Sequence, residues 1–108
     1  MIWVSGHVAR NERNELVGRG DAAAQAEKCV RNVAAVLAEG GATLNDVVQL
    51  NIFIRDASIA QAVQGVRKRV FADADYPTAA MLVAATIRPE YLVEIQAVAI
   101  VSRSTSPG

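Results

Sequence analysis

The 108-residue chain has one cysteine, one histidine and one tryptophan, and each scarcity excludes something. A lone Cys29 closes no disulfide within the chain, so a reducing cytoplasm is the expected setting. One Cys and one His without clustered carboxylates make no standard zinc or transition-metal site, so no metal is expected. No apolar run approaches the ~20 residues that cross a bilayer, and no leader precedes the first apolar segment, Met1-Ile-Trp-Val4, so no membrane partner is expected. Eleven basic and eleven acidic residues cancel to a formal charge of zero. Without a positive field, and with no stripe of aromatic and basic residues, nucleic acid is not an expected partner.

What the chain does have is aliphatic bulk. Hydrophobic residues make up 52% and aromatics only 5%, so the core must be built from Val, Ala, Ile and Leu. One domain of this size buries roughly two thirds of its unfolded surface. That leaves more apolar surface than a small monomer hides, which points to an oligomer. Residues 1–101 read as the domain and 102–108 as a disordered tail.

Along the chain, residues 1–8 read as a strand and residues 9–20 as a hairpin-like connection. From Asp21, Ala26, Cys29, Val30, Val33, Val36 and Leu37 recur at three- and four-residue steps, the stripe of an amphipathic helix. Asp21 is placed to cap it, and Gly40-Gly41 to end it with a positive φ. Val48, Leu50, Ile52 and Ile54 then alternate with polar residues as a strand, with Phe53 breaking the polar side. Ser58 is the expected cap of a second helix with the stripe Ile59, Ala62, Val63, Val66 and Val70, ending before Tyr76-Pro77. Two closing strands, 79–87 and 92–101, flank the turn Arg88-Pro-Glu90. The order predicts an α+β fold with both helices on one face of a single sheet. The last strand is largely apolar on both sides, so a partner sheet is expected.

Chemistry-bearing residues are few. Ser5 and His7 show no nucleophile spacing. Gly18-Arg-Gly-Asp21 lacks the Lys-Ser/Thr of a P-loop and the third glycine of a dinucleotide fingerprint, so it reads as a turn and a helix cap. Cys29 lies on an apolar stripe and reads as a core residue. Glu94 stands apart, because it is a carboxylate in the middle of the apolar strand Leu92-Val-Glu-Ile-Gln-Ala-Val98. Such a group needs a hydrogen-bonding partner or water, which a cleft between subunits would provide, as would an exposed edge or an interfacial ion pair.

Together, Ser5-Gly-His-Val8, Gln25, Asn32-Val-Ala-Ala-Val-Leu37, Asp46-Val-Val48, Phe53-Ile-Arg-Asp56, Pro77 and Val93-Glu-Ile-Gln-Ala-Val-Ala99 resemble the RidA (YjgF/L-PSP) family. The resemblance implies a chorismate-mutase-like fold, a homotrimer with a barrel core, and small-molecule clefts between subunits. It also implies a cofactor-independent hydrolase that converts enamine/imine intermediates to 2-keto acids and ammonia. In the family, an arginine two residues after the proline clamps the substrate carboxylate; here that position is Ala79, which offers neither charge nor hydrogen bond. This chain therefore resembles a branch without the arginine. Met81 stands where a cysteine is common, Gln64 where the second helix carries an asparagine, and His7 where Gln follows Ser-Gly. Ser5 and Gly6 are kept, and Glu94 matches the family's water-positioning glutamate, here the expected acid/base. Arg88 is a candidate for the missing charge, though a residue beside a turn is more often solvated. The alternative to catalysis is a trimer that binds a metabolite without turning it over.

Overall fold

The computed structural model describes residues 1–71 and 77–101. The junction at Tyr76 and the tail 102–108 lie outside the described residues. Four strands, β1 (Ile2–His7), β2 (Val47–Ile54), β3 (Thr78–Val83) and β4 (Val93–Ala99), form one mixed sheet in the order β1-β4-β2-β3. Both neighbours of β4 run antiparallel to it, while β2 and β3 are parallel. The parallel pair requires a crossover, and helix α2 (Ala60–Val70) lies within it.

Helix α1 spans Ala22–Glu39. Asp21 caps it by accepting a hydrogen bond from the Ala24 N–H at 3.0 Å. Of the two glycines at its end only Gly41 takes a positive φ, 77°, whereas Gly40 stays at −93°. The stripe Ala26, Cys29, Val30, Val33 and Leu37 is buried and packs, with Val63 and Val66 of α2, against one face of the sheet. That face is supplied by Leu50, Ile52 and Ile54 of β2, paired with Ala97, Ile95 and Val93 of β4. Both helices thus cover one face, as the element order requires. Each fully buried Leu or Ile here contributes roughly 1.5–3 kcal/mol.

Three local expectations are corrected. A register shift between Val47 and Gln49 turns Val47 inward (3% exposed) and leaves Val48 outside (42%), because a bulge breaks the two-residue period. The capping side chain before α2 is Asp56, which accepts from the Ser58 N–H at 2.8 Å; Ser58 itself sits inside a 3-10 turn, and Ile59 opens the α-helix without a side-chain cap. The closing strands are shorter than their apolar runs: residues 84–87 and 100–101 leave the sheet, and Val101 is 37% exposed.

Candidate functional site

Glu94 lies on the sheet face away from the helices. Its strand partner is Phe53, and the alternation that buries Val93 and Ile95 turns Glu94 and Gln96 to the opposite side. There Glu94 lines a pocket of about 260 Å³ with Phe53, Gln96 and residues 84–87. Gln96 also borders a second hollow, of about 370 Å³, that includes Trp3, Ser5 and Asn51. The Ser5-Gly6 segment reaches Glu94 because β1 shifts register after Val4. A β-carbon on Gly6 would come within 2.4 Å of Glu94 Oε2, so a side chain there would push the carboxylate aside.

The remaining sequence candidates fall elsewhere on this chain. Ala79 and Met81 pair with the buried Leu50 and Ile52 and pack, half-buried, on the helix side. Gln64 lies on α2, in the helix layer, and is half-buried. His7 lines a groove of about 540 Å³ with Arg10, Asn11, Lys28 and Asn32, beside α1. A single subunit therefore brings Gly6 against Glu94, with Ser5 in the neighbouring hollow, but does not bring Ala79, Met81 and Gln64 to them. Arg88 is largely exposed and stands 3.9 Å from Glu90 in an ion pair.

The pocket wall formed by residues 84–87 is held by hydrogen bonds at Thr86. Thr86 Oγ1 lies 2.8 Å from the Arg88 carbonyl and 2.6 Å from that of Tyr91, and accepts from Arg55 Nη1 at 2.9 Å. Tyr91 is buried; its hydroxyl accepts from Arg10, whose guanidinium also stands 5.1 Å above the ring. Gln25, fully buried, ties the next stretch to α1. Its Nε2 donates to the carbonyls of Gly18 (3.2 Å) and Glu90 (2.9 Å), and its Oε1 accepts from the Leu92 N–H at 2.9 Å. Burial, and then the negative charge of Glu94, push the Cys29 thiol up to about 12, so it is protonated and unsuited to act as a nucleophile.

Sequence reasoning missed Phe53, Gln96 and Thr86 as pocket residues and Gln25 as a brace. Phe53 and Gln96 carried a signal, an aromatic and an amide on the same face as Glu94; Thr86 and Gln25 acquire their roles through distant contacts. Among the described residues no group of three or more His, Cys, Asp or Glu is placed to hold a metal ion, and no helix is long and apolar enough to cross a membrane.

A two-helix layer on a mixed four-stranded sheet, with a glycine-packed carboxylate on the uncovered face, defines a two-layer α+β domain with a pocket at that carboxylate. Residues 1–101 match the family model Endoribonuclease L-PSP, and the chain belongs to that family, the RidA/YjgF proteins. It is 32% identical over 99 residues to 3-aminoacrylate deaminase RutC of Acinetobacter baylyi, covering 92% of this chain and 78% of that one. It is 28% identical over 100 residues to the 2-iminobutanoate/2-iminopropanoate deaminase of Dermatophagoides farinae, covering 93% and 77%. Among solved structures, E. coli TdcF with bound serine superposes with a TM-score of 0.85 at 26% identity, covering 93% of this chain and 80% of that one.

Proposed function

We propose that this chain forms a cytoplasmic homotrimer whose intersubunit clefts take an enamine or imine metabolite and hydrolyse it, with Glu94 as acid/base. The observation that carries this reading is the packing of Gly6 against the Glu94 carboxylate at the floor of a small pocket. The named relatives act on enamines and imines that bear a carboxylate, and the same substrate class is proposed here. The division of the candidate residues favours a shared cleft: Ser5, Gly6 and Glu94 stand on one wall of a subunit, Ala79, Met81 and Gln64 on another, and a neighbouring copy can join the two. Exposed Trp3 (75%), Leu82 (50%) and Val48 (42%) supply the apolar surface that such a contact buries.

In the reaction, Glu94 takes a proton from water as the oxygen adds to the imine carbon, giving a carbinolamine. That proton is returned to the nitrogen, so the carbinolamine is neutral; Glu94 then carries the hydroxyl proton to the nitrogen as the carbonyl forms and the C–N bond breaks, so that imine and water yield carbonyl and ammonia. Backbone amides near Gly6 are the candidate donors for charge that develops on oxygen. Ala79 supplies no clamp, so ordinary 2-iminopropanoate turnover is expected to be weak unless another group holds the carboxylate.

The test is ammonia release from freshly generated 2-aminoacrylate by the wild type, by Glu94→Gln and without protein. Turnover that disappears in Glu94→Gln supports the reading. Saturable binding without turnover, altered only in affinity by Glu94→Gln, would instead make the chain a metabolite-binding trimer.

A further inference from the structure

We propose that Arg55 is the carboxylate-recognition residue of the Glu94 cleft; this rests on the enamine/imine reading above. The residues lining the pocket are Phe53, the 84–87 segment, Glu94 and Gln96, which include one anion and no cation. A carboxylate ligand entering beside Glu94 is repelled unless a cation stands at the wall. Arg55 does not itself line the pocket but stands next to it, bonded to the lining residue Thr86. Its backbone N–H donates to the Leu92 carbonyl at 2.9 Å, two residues beyond the Phe53–Glu94 pair. Its side chain bonds Thr86, a lining residue, through Nη1 alone, at 2.9 Å to Oγ1 and 3.3 Å to the carbonyl.

The chemistry of the remaining nitrogens makes the assignment specific. Arg55 is half-buried and, among the described residues, has no carboxylate within ion-pair distance and no hydrogen bond at Nε or Nη2. Nε–H and Nη2–H form the edge of a guanidinium that grips a carboxylate by two parallel hydrogen bonds. Thr86 fixes the opposite corner and so pre-orients that edge. The other arginines near the site are committed: Arg88 to Glu90, and Arg10 to Tyr91 and the Asn14 carbonyl.

The experiment compares ammonia release from 2-iminopropanoate and from its neutral amide, in the wild type and in Arg55→Gln, Arg55→Lys and Thr86→Val. The wild type is expected to prefer the carboxylate. Arg55→Gln should lower that preference by roughly 10- to 100-fold in kcat/KM, mainly through KM, as expected for losing a charged hydrogen-bonded contact. Arg55→Lys should restore part of it. Thr86→Val, which keeps the cation and loses the brace, should lower the preference by less than Arg55→Gln does. Equal losses on both substrates, or a Thr86→Val that reproduces Arg55→Gln, would show that Arg55 only braces the wall and would overturn the proposal. If the wild type turns over neither imine, the hydrolytic reading fails, and binding of pyruvate against pyruvamide, followed by NMR in wild type and Arg55→Gln, decides this one separately. A carboxylate preference lost in the variant supports it; no preference, or no binding, sinks it.

Discussion

Glu94 can occupy its position only because residue 6 has no side chain, since a β-carbon there would stand 2.4 Å from Oε2 and 2.8 Å from Cδ. The glycine is exposed and its φ is not in the left-handed region, so space and not backbone conformation is what requires it. Gly6→Ala is therefore expected to fold with little change in melting temperature and to displace the carboxylate. Ammonia release should fall at least roughly tenfold, the effect expected of a misplaced acid/base. A variant with full activity would separate Glu94 from the chemistry.

Gln25 carries a different kind of necessity. Replacing it by Leu strands the Leu92 N–H and removes donors from the Gly18 and Glu90 carbonyls. The Gly18 carbonyl still accepts from the Asp21 N–H, so the Leu92 N–H and the Glu90 carbonyl are the groups left unpaired, at a cost of roughly 1–3 kcal/mol. Urea titration should show a lower midpoint with an unchanged slope. A midpoint equal to that of the wild type would mean that water replaces the amide without penalty.

Much of this was legible in order along the chain, and the failures have local causes. Helix α1 was readable because Asp21 and Gly41 punctuate an unbroken stripe of apolar residues. The start of β2 was misread by one residue because nothing in Val47-Val48 distinguishes a bulge from a regular strand. The cap before α2 was misplaced from Asp56 to Ser58 because both are good acceptors two positions apart, and only the 3-10 turn selects between them. Glu94 announced itself as a charge in an apolar strand. Thr86 and Gln25 did not, since their partners lie 31 and up to 67 residues away in sequence, beyond any periodicity.

The buried thiol gives a pH dependence. Cys29 has a folded pKa of about 12, above the roughly 8.5 of a free thiol. The unfolded chain therefore releases this proton first as pH rises, and the associated stability is complete below about 8.5 and is lost progressively from there toward 12. Urea midpoints are expected to fall more steeply above about pH 9 in the wild type than in Cys29→Ala. In the native protein the thiol should also resist a disulfide reagent that modifies it rapidly after unfolding. Rapid modification without unfolding would contradict its burial.

Trp3 stands on the uncovered sheet face beside Val98, 75% exposed in the single chain. In the proposed trimer this ring is covered, so Trp3→Glu is expected to shift sedimentation from trimer toward monomer. The tryptophan emission of the wild type should also move to the red on dilution. A wild type that sediments as a monomer at every concentration would remove the shared cleft.

The place of β4 in the sheet bears on how the protein is made. This strand carries the hydrogen bonds of both β1 and β2, yet it is the last of the four to leave a ribosome. Ile2 must wait for Ala99, its partner across the sheet, and until then β1 has no neighbour to pair with. Contacts of such long sequence separation form late. The sheet is thus completed only once β4 has been made, and a message cut short before the codon for Val93 yields a chain with no central strand, a ready client for chaperones and proteases.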